Sequence, residues 1–484
     1  MIKNLCKRGL VLGIIVLFIG ACVIPSTVGI IKEKIIFNHP TSRGYIQDLI
    51  DNASPGDTIY IPSGIYYENI IINKSISLIG EDKDTTIFDG GGIGDVVYVS
   101  ADGVKINFFT IQNSGQWSFA GINLFSNYNM IIDNIVYNNN YNGIGLSHSK
   151  YNTIQGNTIN SNNYYGIDLI SSNDNIIIGN TISSNKYNGI GLSQSNGNTF
   201  IGNNISSNKD YGIYLEYSSS NEITENNISS NKWDGINLEG SNHNIISNNI
   251  INSSIGDGIY VEYSISNTIS NNTISDSWYD GIGLLFNSKN NIIKGNNIKL
   301  NDKCGIHLWH SSNRNNISEN NITSNNEDGI EILASDYNTI IDNVISNNGY
   351  GINIHCNFMG DDFSNNNNII GNTINSNKRD GICLHNRETS SDNNIITGNA
   401  FSLNNGKSIN FSCSGDNIVS KNNLLGFKNH VFFKDCENTW EQNYWYRPRI
   451  LPKLIFGKNT IGYKILPWIN IDWLPALKPY KIRE

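Results

Sequence analysis

Apolar residues recur through the middle of the chain with a period of about 23 residues. Each repeat opens with a Gly-Ile pair; with the glycine as position 0, apolar residues fall at +1 and +3, near +11 and near +16. Three short alternating runs separated by Asn, Ser and Gly predict three β-strands per repeat and no helix. The repeat glycines lie at 121, 143, 166, 189, 212, 235, 258, 281, 305, 329, 351 and 381, and two weaker repeats follow at 407–414 and 429–436.

This period predicts a solenoid. A strand of three or four residues cannot bury its face alone, so each strand must pair with its counterpart one repeat later. The expected fold is an all-β parallel β-helix with three strands per turn of about 23 residues and about 14 turns, rising by about 4.8 Å per turn.

Polar positions repeat as regularly as apolar ones. Asparagine recurs at +9 and +14, and serine recurs at +6. Asparagine amides stacked in register can each donate to the carbonyl of the next turn, and asparagine tolerates the left-handed turn conformation. We therefore expect asparagine ladders with a structural role.

The two ends of the chain differ from the repeats. The segment "GYIQDLIDNA" at 44–53 places apolar residues on one helical face and predicts a short helix that caps the solenoid. We expect this helix and the first irregular turns within 40–120, the β-helix repeats within 121–445, and a tail at 446–484 that packs over the far end.

The first residues combine a short basic region with the apolar run "LVLGIIVLFIGACVI". This pattern predicts a signal peptide or lipoprotein signal or anchor at 1–29. A lipid on Cys22 would tether the mature chain to a membrane, whereas cleavage near "STVG" would release it. In either case we expect an extracytoplasmic location, secreted or at the cell surface.

The chain is acidic, with 33 Lys and Arg against 42 Asp and Glu and a net charge of −9. Without a basic stripe, a nucleic-acid partner is not expected. We expect a monomer.

Five cysteines follow the signal. This number is too small for a disulfide scaffold, and because it is odd, at least one thiol would stay unpaired or bind a metal. Cys413 and Cys436 lie at nearly equivalent positions of adjacent late turns, which predicts a disulfide between them.

The segment "GDTIYIPSGIYYENIIINKSISLIGEDKDTTIFDG" at 56–90, the repeats and a closing "NYW" at 443–445 resemble the NosD-type secreted β-helix family. That family belongs with the carbohydrate-binding and sugar-hydrolase domains of the pectin-lyase-like fold. The resemblance implies a right-handed helix. It also implies that the Gly-Ile strands build the sheet that faces a substrate, with positions +2 and +4 pointing outward.

Glutamate returns three times in the +4 column of this outward face, at Glu216, Glu239 and Glu262. Stacked carboxylates repel one another, which raises a pKa or holds a cation. One carboxyl could serve as an acid and another as a base or nucleophile in sugar chemistry, so these three are the catalytic candidates. Duplication of a surface glutamate would give the same column. The candidate substrate-binding residues on the same face are Tyr214, Asn237, Tyr260, Trp309 and Glu331.

Histidine and cysteine gather in the later turns of the same face. Imidazole and thiolate suit copper or zinc, so His307, His355, Cys383 and His385 are the candidate metal ligands. The NosD resemblance implies copper, and the acidic column leaves calcium as a third metal. An insertion at 357–368 lengthens one of these repeats and would edge a binding site.

These observations favour a β-helix protein that binds a polysaccharide or glycan along the first sheet, with catalysis not assured. Two alternatives stay open from the sequence. One is a polysaccharide lyase, hydrolase or epimerase that uses the stacked glutamates. The other is an extracytoplasmic copper-binding accessory protein of NosD type.

Overall fold

The computed structural model describes residues 44–356, 363–385, 391–425, 430–461 and 464–482. The predicted signal or anchor at 1–29 lies outside these ranges, as does part of the insertion at 357–368. Within the described ranges, no helix is both long and apolar enough to cross a membrane.

Strands one repeat apart pair in parallel and in register. Ile213–Glu216 lies beside Ile236–Glu239, with Glu216 opposite Glu239. Each regular turn adds one strand to each of three sheets, which confirms the predicted β-helix with three strands per turn. The third sheet has 17 strands in the described part of the chain, because three irregular turns precede the repeats that the sequence reveals.

The first sheet is built from the Gly-Ile strands, and the second and third sheets complete each turn. The strands of the first sheet are Ile70–Ile72, Val97–Val99, Ile122–Leu124, Ile144–Ser147, Ile167–Ile170, Ile190–Ser193, Ile213–Glu216, Ile236–Glu239, Ile259–Glu262, Ile282–Leu285, Ile306–Trp309, Ile330–Leu333, Ile352–His355, Ile382–His385, Ile409–Ser412, Val431–Lys434 and Lys453–Ile461. Those of the second sheet are Thr58–Ile61, Ser77–Gly80, Lys105–Asn107, Met130–Ile132, Thr153–Gln155, Ile176–Ile178, Thr199–Ile201, Glu222–Thr224, Ile245–Ser247, Thr268–Ser270, Ile292–Lys294, Asn316–Ser318, Thr339–Ile341, Asn368–Ile370, Ile395–Thr397, Ile418–Ser420, Thr439–Glu441 and Lys464–Asp472. Those of the third sheet are Gly64–Tyr66, Thr86–Asp89, Thr110–Gln112, Ile135–Tyr137, Thr158–Asn160, Thr181–Ser183, Asn204–Ser206, Asn227–Ser229, Ile250–Asn252, Thr273–Ser275, Asn297–Lys299, Asn321–Thr323, Val344–Ser346, Thr373–Asn375, Ala400–Ser402, Asn423–Leu424 and Tyr444–Trp445.

The apolar positions of the repeat form one continuous core. In the turn that begins at Gly212, the side chains at +1, +3, +11 and +16 are fully buried. The glycine itself is required by packing, because a Cβ on Gly212 would lie 2.5 Å from the carbonyl oxygen of Gly235 and 2.6 Å from Cγ2 of Ile228. The repeated glycine therefore marks a close approach between adjacent turns.

Asparagine ladders run along the corners of the helix, as predicted. Asn203 donates from Nδ2 to Oδ1 of Asn226 at 3.0 Å and to the carbonyl of Ile177 at 2.9 Å. Its own Oδ1 accepts the backbone N–H of Asn180 at 3.0 Å. Each amide thus satisfies buried backbone groups in neighbouring turns, which is why the same residue returns in every repeat.

The N-terminal helix forms at Tyr45–Asn52 and buries Ile46 and Ile50, which confirms the predicted apolar face. Its first backbone N–H groups donate to a glutamate of the first turns: Ile46 N lies 3.0 Å from Oε2 of Glu68, and Gln47 N lies 3.2 Å from it. A buried carboxylate thus satisfies donors at the helix start that have no partner within the helix.

At the other end, Lys453–Ile461 and Lys464–Asp472 form an antiparallel hairpin that continues the first and second sheets. The predicted disulfide between Cys413 and Cys436 is wrong, because both are free thiols. Register pairs Ser412 with Lys434, which places Cys413 beside Asp435 and one residue out of step with Cys436.

Candidate functional site

A groove of about 610 Å³ runs along the outer face of the first sheet, across the turns that begin at the glycines from 212 to 329. Three rows of side chains define it. The floor is position +2, one wall is positions −2 and −1 just before the strands, and the other wall is position +4. The floor comprises Asn237, Tyr260, His307 and Glu331; the first wall Tyr211, Trp233, Asp234, Gly256, Asp257, Tyr279, Asp280, Lys303 and Glu327; and the second wall Glu239, Glu262, Leu285 and Trp309.

Aspartates at position −1 form the acidic part of the first wall. Oδ1 of Asp234 accepts the backbone N–H of Asp257 at 2.7 Å, and Oδ1 of Asp257 accepts that of Asp280 at 2.8 Å. Oδ1 of Asp280 in turn accepts the N–H of Cys304 at 2.7 Å. Each carboxyl is therefore fixed by the next turn, and the column forms a ladder of its own.

Burial disfavours charge on this aspartate column. It raises the pKa of Asp234 to about 6, against the lowering effect of a 2.7 Å hydrogen bond from Asn237. Burial also raises the pKa of Asp257 well above its usual range, and the charges of Asp280 and Asp234 add to the effect. Carboxyls with raised pKa in a groove are typical of functional sites.

Gly283 lies between Tyr260 and His307 in the +2 column and pairs in register with both. A Cβ on Gly283 would lie 2.7 Å from Oδ2 of Asp257 and 2.8 Å from Cδ1 of Leu285. The backbone of Gly283 is not left-handed, so conformation does not require glycine here. The Asp257 carboxyl and the Leu285 side chain therefore occupy the space that a side chain at this position would need.

Tyrosine hydroxyls hold the predicted glutamate column. Tyr214 donates to Oε2 of Glu239 at 2.7 Å, and Tyr260 donates to Oε2 of Glu262 at 3.2 Å. Burial raises the pKa of Glu262, the hydrogen bond from Tyr260 opposes that rise, and the charge of Glu239 adds to it. Tyr214 and Glu216, in the turn that begins at Gly212, do not line the groove, although Tyr211 just before that strand does.

A hydrogen-bonded cluster closes the far end of the groove. Nδ1 of His307 lies 3.0 Å from Oδ2 of Asp280, and its Nε2 lies 3.5 Å from Oε2 of Glu331. Nε2 of His355 lies 2.8 Å from Oε1 of Glu331, and the Cys304 thiol donates to Oε2 of Glu331 at 3.4 Å. Glu331 is the shared centre of this cluster.

Charges in this cluster stabilise one another. Burial opposes the Glu331 charge, but the hydrogen bond with His355 and the charges of both histidines lower its pKa to about 2. Burial also disfavours the charged form of His307, and the hydrogen bond and charge of Asp280 overcome that effect and raise its pKa. The contacts of this cluster thus favour the charged forms of Glu331 and His307.

The predicted metal ligands are not brought together as a set. His355 pairs in register with His385, as expected, but both His307 and His355 contact Glu331. Cys383 is buried, and desolvation raises the pKa of its thiol to about 12, so it is protonated at neutral pH. Across the ranges that the structure describes, no three His, Cys, Asp or Glu side chains converge as metal ligands.

The groove contains seven of the twelve residues singled out from the sequence. They are Glu239, Glu262, Asn237, Tyr260, Trp309, Glu331 and His307, whereas Glu216, Tyr214, His355, Cys383 and His385 lie outside its lining. Asn237 and Cys383 lie in the outward +2 column but are only 4% and 5% exposed.

Sequence reasoning missed the −2 and −1 columns altogether. The signal was present, because "WDGINLEGS" and "GDGIYVEYS" each carry an aspartate immediately before the repeat glycine. These positions lie before the predicted strand, outside the alternating columns. In the structure their side chains form the first wall of the groove.

Comparison with family models gives two matches. Residues 120–254 match the model described as right handed beta helix region. Residues 206–322 and 308–360 match the model described as periplasmic copper-binding protein (NosD). The second match covers the groove. No curated protein sequence matches the chain.

Several solved structures are similar to this chain. The periplasmic alginate epimerase AlgG has 15% sequence identity, with 75% of this chain and 83% of that chain covered and a TM-score of 0.41. The mannuronan C-5 epimerase AlgE4 A-module of Azotobacter vinelandii has 14% identity, with 72% and 88% covered and a TM-score of 0.34. DFA-IIIase from Arthrobacter chlorophenolicus A6 has 14% identity, with 60% and 85% covered and a TM-score of 0.38.

Proposed function

Because this chain is a right-handed parallel β-helix with NosD-type repeats, we propose that it is an extracytoplasmic protein that binds a polysaccharide in the groove on its first sheet. The groove itself carries the proposal. It is about 610 Å³ in volume, spans six turns, and is lined largely by aromatic and carboxyl side chains. Strands spaced by about 4.8 Å make such a groove about 25 Å long, which suits an extended chain.

The chemistry of the lining supports a sugar ligand. Trp233 and Tyr279 are exposed on the first wall, where flat apolar faces can cover sugar rings. Nε1 of Trp309 is buried in the groove and has no hydrogen-bond partner among the described residues. A ligand hydroxyl that reached this nitrogen would relieve the cost of burial without a partner, which is about 1 to 3 kcal/mol.

The periplasmic family name supports an extracytoplasmic location. Copper binding is not part of the proposal. The histidines of the groove end contact carboxylates, the Cys383 thiol is buried and protonated, and the described residues contain no convergent ligand set.

The test is binding of oligosaccharides to the wild-type chain and to Trp233→Ala. Titration calorimetry with neutral, amine-bearing and uronate oligosaccharides should find at least one ligand, and the variant should bind it at least about tenfold more weakly because it loses an aromatic face.

Trp117→Ala is the matched control, since Trp117 is exposed on an early turn outside the groove. Absence of binding by every class of oligosaccharide, or equal loss in both variants, would contradict the proposal.

A further inference from the structure

The terminal hairpin, Lys453–Ile461 with Lys464–Asp472, carries apolar side chains on its surface. Phe456 pairs with Ile469 across the two strands, and these side chains are 63% and 47% exposed on the same face. The opposite face of the first strand meets the core, where Ile455 is buried. Contiguous exposed apolar side chains mark a surface that binds a partner. The residues that flank the hairpin continue this exposed surface, with Ile450, Leu451, Trp473 and Leu474.

Both faces of the second hairpin strand are uncovered. Residues 464–469 are all exposed, whereas strands of the repeats bury their central side chain between less buried neighbours. Successive side chains of a strand point to opposite faces, so neither face of 464–469 packs on the solenoid. In the described part of the chain, 464–471 pairs only with the first hairpin strand, and the second sheet begins its pairing at Asp472. This segment therefore suits a medium that surrounds a strand.

The same end of the chain is basic. Residues 446–484 contain eight Lys and Arg against two Asp and Glu, although the whole chain has a net charge of −9. Arg447, Arg449 and Lys453 form a basic cluster, because burial and then the charges of Arg449 and Arg447 lower the pKa of Lys453. Nε of Arg449 is buried and has no hydrogen-bond partner among the described residues. The cluster therefore offers positive charge and a free donor to an anion.

A bilayer with anionic headgroups fits both properties. Lipid phosphates pair with arginine and lysine, and aromatic and aliphatic side chains enter the layer between headgroups and acyl chains. That layer surrounds a strand on both faces. The unpaired backbone edge of 464–471 needs water or headgroups as partners, which excludes the hydrocarbon interior. A second copy of this face is a poorer partner, because the two basic clusters would repel each other.

We propose that the terminal hairpin and the basic cluster bind this protein to the surface of a membrane that contains anionic lipids. The hairpin lies among the headgroups, with Phe456 and Ile469 towards the acyl chains, and the basic cluster pairs with lipid phosphates. None of these residues lines the groove on the first sheet. The proposal therefore does not depend on glycan binding.

The experiment measures hydrogen exchange of the full chain by mass spectrometry, with two kinds of vesicle. One is phosphatidylcholine alone, and in the other about a third of the lipid is phosphatidylglycerol. The readout is local because the predicted signal or anchor at 1–29 could also hold the chain on a vesicle. Anionic vesicles should slow exchange within 453–472 at least about tenfold, since binding stabilises the bound segment. Neutral vesicles should slow it less than about twofold, and about 1 M salt should remove the effect of anionic vesicles.

Phe456→Glu tests the apolar face, and Tyr60→Glu is the matched control. Tyr60 is an exposed aromatic side chain on Thr58–Ile61, a strand of the first turns. Phe456→Glu should abolish the slowing, because it places a negative charge among anionic headgroups, whereas Tyr60→Glu should retain it. Without vesicles both variants should exchange like wild type, since both side chains are exposed.

Arg447→Gln combined with Lys458→Gln tests the charge. Both side chains are exposed. This double variant should reduce the slowing by anionic vesicles at least about threefold, because each cation near an anionic surface contributes to binding. Lys209→Gln combined with Lys232→Gln removes two exposed charges from the repeats and should leave the slowing unchanged.

Three results would overturn the proposal. The first is unchanged exchange within 453–472 on anionic vesicles that do bind the chain. The second is equal slowing by neutral and anionic vesicles. The third is slowing that needs no vesicles and grows with protein concentration, which would assign the hairpin to pairing between copies of this chain.

Discussion

Individual residues in this protein acquire their chemistry from neighbours in other turns. Asp168 occupies a +2 position and was expected to face outward, yet it is 6% exposed. Burial raises its pKa to about 7, against a hydrogen bond from Nδ2 of Asn142 at 2.9 Å. The unfolded pKa of aspartate is about 3.9. Between these two pKa values, the folded state therefore holds the carboxyl proton of Asp168 more tightly than the unfolded state does.

This difference predicts the pH dependence of stability. Asp168 contributes stability below about pH 4 that is lost as the pH rises towards 7, because the charged carboxyl is buried. Asp168→Asn should therefore be more stable than wild type at about pH 8, on the order of 2 to 4 kcal/mol, and the gain should vanish near pH 4. Urea unfolding followed across this range measures it.

Asp174→Asn, at an exposed turn, is the control and should leave the pH profile unchanged. If Asp168→Asn were less stable than wild type at about pH 8, other groups in the folded protein would have to stabilise the buried Asp168 charge.

At the scale of elements, the ladders hold adjacent turns in register. Asn203 is 1% exposed and joins three successive turns through its side chain. Asn204, the next residue along the chain, is exposed on the third sheet. The two asparagines have the same chemistry in the sequence, and only their direction differs.

Asn203→Ala should destabilise the protein by about 2 to 5 kcal/mol, because it leaves the backbone N–H of Asn180 and the carbonyl of Ile177 buried without partners. Asn204→Ala should cost less than about 1 kcal/mol as a surface substitution. Denaturant midpoints of the two variants test the ladder directly. Equal losses of stability in the two variants would mean that the asparagine ladder does not hold adjacent turns in register.

At the scale of the whole molecule, the solenoid needs its ends covered. Asp472 of the final hairpin is fully buried and ends an asparagine ladder. Its carboxyl accepts the indole N–H of Trp445 at 2.8 Å and the backbone N–H groups of Asn443 and Gln442 at 3.0 and 3.1 Å. One carboxylate thus replaces the next turn that a terminal repeat lacks.

Asp472→Ala should release the C-terminal hairpin and destabilise the last turns by about 3 to 5 kcal/mol, because buried donors lose their acceptor. Limited proteolysis should then cut within 453–472 while the earlier turns stay resistant. Glu441→Ala, an exposed neighbour, should be cleaved like wild type. Wild-type resistance in Asp472→Ala would show that the ladder needs no terminal acceptor.

The sequence by itself determined the repeat, the three strands per turn, the buried columns, the ladders and the helix at the start. It could do so because alternation along a strand fixes which side chains face inward, and a fixed period places like residues above one another. The outward column of Glu216, Glu239 and Glu262 followed from the same rule.

Only the tertiary structure decided which columns share a site. The Asp257 carboxyl of one turn lies against Gly283 of the next, and Asn237 and Cys383 are buried although they belong to an outward column. Burial and pKa depend on atoms contributed by other turns, and a one-dimensional pattern does not contain those distances. For that reason the sequence identified the glutamate column as a candidate site but did not identify the aspartate column that forms the acidic part of the first wall.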